Sequence, residues 1–172
     1  MITETSTKDE LLTAIGEAVS DMGGLMESLY ETQVNTVPYE DSWTAGQLFS
    51  HVTKSINGLA GAMLKEAPEA GRDPAEKVAG FQKTFLDFST KMQSPDFIIP
   101  GPGPYQKQQT IEALKQAFGL LKENAGKANL KELLTGLPMG DATKLELLHF
   151  VLYHTQRHLH QMKKITGALL VK

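Results

Sequence analysis

Residues 143–167 read TKLELLHFVLYHTQRHLHQMKKITG and predict one long amphipathic helix. Thr143 can cap the start of this helix, and Glu146, three residues on, completes a capping box. Apolar residues recur at the three- and four-residue spacing of a single helix face, and Gly167 is a typical helix stop. That face contains Leu147, Val151, Met162 and Ile165. Because so long an apolar face must be covered by other helices, the segment favours a helical bundle.

Four further helical patterns precede this segment, and no alternating strand pattern competes with them. Two of them begin at further capping boxes, Thr7–Glu10 and Thr44–Gln47. A third pattern covers residues 74–93, and a fourth starts near residue 111. Residues 94–104, SPDFIIPGPGP, contain prolines that exclude regular helix and predict a crossover. We predict an all-α four-helix bundle with an additional helix and a proline-rich crossover, as a single domain over residues 1–172.

The composition excludes several classes of partner and ligand. The net charge is −3 and the 17 basic residues are scattered, so we expect no nucleic acid or anionic membrane surface to bind. The absence of cysteine leaves His, Asp and Glu as the candidate metal ligands. The first residues, MITETSTKDELL, lack the basic and apolar regions of a signal peptide. No apolar run reaches the ~18 residues of a membrane span, so we predict a cytoplasmic protein.

The histidines are the residues that suggest chemistry. Four of the five lie in the last helix, where His154 and His158 are about 40° apart on the buried face. His149 and His160 lie about 140° and 120° from His154, which predicts positions on the flanks or the surface. Two histidines four residues apart can bind one metal ion, because their rings project from adjacent helical turns.

A third ligand must come from another helix, because a catalytic metal takes about three protein ligands and one open position. His51 is the best candidate, since it lies beside Leu48 and Val52 in the apolar stripe of the second helix. The residue after His154 is Thr155, not the Glu of helical zinc proteases, which excludes that class. Simpler interpretations stay open: the pair could be a polar patch, and His51 a hydrogen-bonded core histidine.

Two segments of the chain resemble a known family. Residues 43–51, WTAGQLFSH, resemble the Trp-(Ser/Thr)…His opening of the second helix in the DinB-like superfamily, which includes YfiT-type metal-dependent enzymes. Residues 153–161, YHTQRHLHQ, resemble that family's late HxxxH helix, in which a Gln or His follows three residues later. The helix order and the crossover at 94–104 are also similar. The resemblance implies an up-down-down-up bundle and a metal triad of His51, His154 and His158.

The resemblance implies a metal-dependent enzyme without fixing its reaction. Some relatives transfer a low-molecular-weight thiol, such as bacillithiol, mycothiol or glutathione, to electrophiles, and others are assigned as hydrolases. Our leading hypothesis is that Zn²⁺ or Ni²⁺, with Fe or Mn as further candidates, activates a thiol or water to attack a small-molecule substrate. Gln161 or Tyr153 would orient that nucleophile.

The competing hypothesis is a non-catalytic bundle, with a structural, ligand-binding, partner-binding or stress-related role. Its metal would then be vestigial or stabilising, and a structural site is usually closed by a fourth protein ligand. His149 is the one spare histidine that could close it. Family likeness also suggests a homodimer.

Overall fold

The computed structural model describes residues 2–171 and contains five α-helices, as the sequence predicts. Four of them are long and form the bundle, and the short α3 packs against the outside of α5. The helices are α1 (Lys8–Glu27), α2 (Ala45–Ala62), α3 (Val78–Phe85), α4 (Lys107–Lys127) and α5 (Lys144–Leu170). Within residues 2–171, we find no helix with the length and apolar character that crossing a membrane requires.

Helices α1, α2 and α5 each begin at the threonine that the sequence indicates. In each case the threonine hydroxyl accepts a hydrogen bond from the backbone N–H three residues on. The side chain of that later residue in turn accepts one from the threonine N–H. The pairs are Thr7–Glu10, Thr44–Gln47 and Thr143–Glu146. These local bonds fix where the three helices begin, including α2 and α5, which carry the histidines.

Contacts between helix ends give the directions of α1, α4 and α5. Lys8 Nζ, at the start of α1, donates a hydrogen bond to the carbonyl of Gly126 at the end of α4, so these helices are antiparallel. Gln33 Nε2, just after α1, donates to the carbonyl of Leu169 at the end of α5, so α1 and α5 are parallel.

Helix α2 runs in the same direction as α4. Asn124 Nδ2, near the end of α4, donates to the carbonyl of Ala60 near the end of α2. At the opposite ends Gly46 lies directly against Tyr105, so closely that a Cβ on this glycine would be 2.6 Å from that of the tyrosine. The order around the core is α1, α4, α2, α5. The bundle is therefore up-down-down-up, and α2 and α5 are antiparallel neighbours.

A buried carboxylate joins α5 to the segment between α2 and α3. Glu146 accepts hydrogen bonds from both terminal nitrogens of Arg72, at 2.7 and 2.8 Å. The backbone N–H groups of Lys77 and Thr143 also donate to it, each at 2.8 Å. The Glu146 side chain is fully buried. This pair holds the chain that leads into α3 against the start of α5.

Three local features differ from the sequence expectations. The helix predicted over 74–93 is shorter, because Asp87 forms a turn by accepting from the N–H and hydroxyl of Ser89 after α3 ends. Helix α5 continues past Gly167 to Leu170. A two-residue antiparallel pair, β1 (Leu133–Leu134) with β2 (Ala142–Thr143), precedes α5. Strands this short have no sequence period to detect.

Candidate metal centre

Three imidazole rings meet in the core between α2 and α5. The Nε2 atom of His51 is 3.2 Å from that of His154 and 3.1 Å from that of His158, and the last two are 3.1 Å apart. All three side chains are buried. Among residues 2–171, this trio is the group of His, Asp and Glu side chains close enough to hold one metal ion. The structure therefore brings together the three histidines that the sequence singles out.

The outer nitrogens of two of these rings are held by acceptors. His51 Nδ1 is 3.1 Å from the carbonyl oxygen of Ile98, which can only accept, so this nitrogen carries the proton. His158 Nδ1 is 3.0 Å from Gln161 Oε1. With the protons on Nδ1, the Nε2 lone pairs of His51 and His158 face each other. Such lone pairs repel unless a cation or a proton lies between them, and this donor set fits a divalent metal.

The third ring is held by aromatic packing. Phe150 stacks on His154 with ring centroids 5.3 Å apart and planes 16° from parallel. Phe85 meets the same ring edge-on at 6.1 Å. His154 Nδ1 is buried, and no described residue accepts or donates a hydrogen bond there. Phe85 lies in the third helical pattern of the sequence, which gives no sign of its contact with the histidine ring.

The pKa values of the cluster are lowered, chiefly because burial disfavours the charged imidazolium. Burial lowers the pKa of His158 to about 3, with the His51 ring adding to the effect. Burial also puts the pKa of His154 well below its usual value. For His51 burial again dominates, although the bond to the Ile98 carbonyl works to raise the pKa. All three rings are neutral at pH 7, which is the form that binds metal.

His149 was predicted on a flank or the surface, and that prediction is wrong. Its side chain is fully buried, because α5 packs against α1, α2 and α3 and so is covered on more than one face. His149 Nδ1 is 3.3 Å from the Tyr153 hydroxyl, and the histidine is not part of the cluster. Tyr153 thus contacts His149, and its hydroxyl does not reach the three rings. His160 is half-buried and stacks on Phe88 at 4.2 Å.

The buried His149 predicts a pH dependence of stability. Burial lowers its pKa from 6.5 to about 4, so between these values the unfolded chain binds a proton that the folded chain does not. Stability is therefore lost as the pH falls from 6.5 toward 4, by on the order of 3 kcal/mol. We expect His149→Leu to weaken this dependence in metal-free protein, measured by urea unfolding across that range. His160→Gln is the control, and an equal slope in wild type and His149→Leu would contradict the assignment.

The cluster opens on one side into a cleft of about 1610 Å³. All three histidines line it, together with Trp43, Gln161 and residues of the crossover. The Trp43 ring centroid is 4.9 Å from that of His51. Because the three histidines line this cleft, a small molecule bound in it could reach an ion that they held.

Comparisons with known proteins agree with this architecture. The family model of the DinB superfamily matches residues 15–162, a span that includes all three clustered histidines. Among solved structures, YfiT from Bacillus subtilis is similar with a TM-score of 0.60 and 13% sequence identity, over 97% of this chain and 91% of that one. YfiT is described as a probable metal-dependent hydrolase with an unusual four-helix bundle topology. No curated protein matches the sequence. At this identity the likeness to YfiT shows the fold alone.

Proposed function

The chain belongs to the DinB superfamily, and from that premise and the geometry of the cluster we propose that it is a metal-dependent enzyme. His51, His154 and His158 would hold one divalent ion, and the chemistry it would supply is activation of a thiol or a water molecule toward a small electrophilic substrate in the cleft. Transfer of a low-molecular-weight thiol and hydrolysis are the two reactions that this arrangement serves. Location in the cytoplasm and a homodimeric state stay predictions from the sequence and the family.

The proposal rests on the convergence of three imidazole nitrogens. The three Nε2 atoms lie within 3.2 Å of one another, while the Nδ1 atoms of His51 and His158 are engaged by Ile98 and Gln161. Outer partners of this kind fix the tautomer and the ring orientation of metal-binding histidines. A polar patch on a helix would not need three buried rings aimed at one point.

The donor set narrows the choice of metal. Imidazole nitrogens suit Zn²⁺ and Ni²⁺, and they accept Fe²⁺ or Mn²⁺ less strongly. Three neutral ligands leave the charge of the ion uncompensated. When bound, such an ion lowers the pKa of water toward ~7 and deprotonates a thiol.

The protein's own groups position the reactants. Gln161 holds the His158 ring, and the Ile98 carbonyl holds the His51 ring from the crossover. The Trp43 ring and the aromatic residues of α3 line the cleft beside the cluster. No carboxylate of the described residues joins the cluster, so the thiol or water that the ion activates would itself be the nucleophile. The open cleft favours this function over a purely stabilising metal, which would be closed by a fourth ligand.

A paired activity screen tests the proposal. Protein loaded with Zn²⁺ or Ni²⁺ is mixed with small electrophiles, with and without a low-molecular-weight thiol, before and after chelation. We expect turnover that requires metal and is lost in His154→Ala but kept in His160→Gln. A requirement for thiol identifies a transferase, and turnover in water alone identifies a hydrolase. Turnover that survives both chelation and His154→Ala would refute the metal-dependent mechanism.

A further inference from the structure

The cleft is chemically different on the two sides of the three histidines. Because α2 and α5 are antiparallel, residues after His51 on α2 lie on the same side as residues before His154 on α5. We name this side the apolar groove. It is lined by Leu59 and Ala62 of α2, Phe81 and Phe85 of α3, Phe150 of α5 and Met139. The other side begins at Trp43 and Gln161.

Aromatic rings connect the apolar groove directly to the metal-binding histidines. The Phe150 ring stacks on His154. Phe85 meets Phe150 edge-on at 4.9 Å, and Phe81 meets it at 5.9 Å. Phe81 and Phe85 are only half-buried, so part of each ring faces the cleft. A group bound at the cluster would therefore be flanked by these three aromatic rings on the α3 and α5 side, while Ser55 and Thr84 add hydroxyl groups to the lining.

Few charged groups line this groove, and the one nearest to the histidines on α2, Lys54, donates to the backbone carbonyl of Ile99 at 2.8 Å. The acidic residues that line the cleft are Glu40 and Asp41, before Trp43, and Asp96 in the crossover. The guanidinium of Arg157 is occupied by backbone carbonyls, including that of Asp87 at 2.8 Å. Along α2 the first charged lining residue beyond Lys54 is Lys65, past the end of the helix. The distance along α2 from His51 to Ala62 is about 16 Å.

We propose that the apolar groove binds an alkyl chain or an aryl ring attached to the reacting group of the substrate. The substrate is therefore an amphipathic small molecule whose electrophilic carbon lies at the histidines and whose apolar substituent lies along α2 and α3. This inference rests on the proposed function, because it assigns the substrate class of the same site. It excludes small, fully polar substrates as the preferred ones.

Two glycines of α2 provide a matched pair of variants. A Cβ at Gly58 or at Gly61 would meet no atom within 4 Å, and both residues are exposed. Gly58 lines the cleft and lies about 20° from His51 around the helix, whereas Gly61 lies about 80° away. Gly58→Phe should therefore fill the groove and Gly61→Phe should not. Both variants replace an interior helix glycine, so neither should unfold the protein.

Alkyl hydroxamic acids of two to ten carbons, titrated by calorimetry into zinc-loaded protein, test the proposal. The hydroxamate group chelates the metal, and the alkyl chain of the ligand contacts the apolar groove, so the dependence of affinity on its length measures binding in the groove. We expect affinity to rise about fourfold per methylene until the groove is filled. Gly58→Phe should abolish this gain while Gly61→Phe retains it. Binding of acetohydroxamate with no gain from longer chains would overturn the proposal.

A metal-independent measurement separates the groove from the metal site. Metal-free protein is titrated with the neutral fluorophore N-phenyl-1-naphthylamine, which we expect to bind to wild type and Gly61→Phe and to bind at least about tenfold more weakly to Gly58→Phe. If the fluorophore binds as expected but acetohydroxamate fails to bind the zinc-loaded protein, the apolar groove is supported and the proposed function is refuted. Equal binding of the fluorophore to the two glycine variants would contradict the proposal that the apolar groove is a binding site.

Discussion

His154→Ala is expected to lower metal affinity by at least about a hundredfold, since even the outer partners of metal ligands contribute 10–100-fold. The wild-type protein should retain about one equivalent of Zn²⁺ or Ni²⁺ after dialysis, because three neutral imidazoles converge within 3.2 Å. His154→Ala leaves two ligands on different helices. His51→Ala should have the same effect, although it removes a ligand from α2 and leaves the pair on α5 intact.

Elemental analysis of dialysed protein measures this loss directly. Trp43 gives a second signal, because it is the sole tryptophan and its ring is 4.9 Å from that of His51; Ni²⁺ at the cluster should quench its fluorescence. His160→Gln is the matched control, since this histidine stacks on Phe88 outside the cluster. A full equivalent of metal in both alanine variants would place the ion elsewhere in the protein.

Arg72→Met is expected to lower the free energy of unfolding by about 3 kcal/mol, because removing one partner leaves a buried charge uncompensated. Arg72 donates to both oxygens of Glu146, whose side chain is fully buried, while that of Arg72 is 22% exposed. Methionine retains most of the apolar stem, so the loss reports on the guanidinium. Urea unfolding at neutral pH measures it.

The pH dependence of this variant is a further check. Burial works to raise the pKa of Glu146, but hydrogen bonds from Arg72, Thr143 and Lys77 outweigh it and hold the pKa below 4.5. The carboxylate therefore contributes to the free energy of unfolding above pH 4.5, and this contribution is lost as the pH falls further. The difference in the free energy of unfolding between wild type and Arg72→Met should shrink below that pH. Lys127→Met removes the exposed pair with Glu123 and should cost less than about 0.5 kcal/mol. Equal effects of the two substitutions would show that burial of the Glu146 pair contributes little.

The features that the sequence predicts correctly are those that local interactions decide. A capping box involves residues three apart, so Thr44 and Thr143 mark the starts of α2 and α5 without knowledge of the fold. Helical periodicity likewise places His154 and His158 on one buried face. The up-down-down-up topology came from family resemblance, and the hydrogen bond between Asn124 and Ala60 agrees with it.

Two of the wrong or missing predictions depend on a distant neighbour. His149 lies opposite the predicted buried face, and it is buried because α1, α2 and α3 cover α5 together. The carbonyl that holds the His51 ring belongs to Ile98, 47 residues away in an irregular segment. Helix α3 differs, because it ends early at a local turn in which the Asp87 side chain accepts from the backbone N–H of Ser89. Periodicity in one segment cannot reveal any of these contacts.

The placement of the rings on α2 and α5 also has a consequence for biosynthesis. His51 and His158 are 107 residues apart in the chain, and α5 is the last helix of the bundle to leave the ribosome. The nascent protein presents His51 long before the other two rings exist. Under the proposed function, capture of an ion by all three rings would follow docking of α5, and we expect a ribosome-stalled chain lacking this helix to take up no metal.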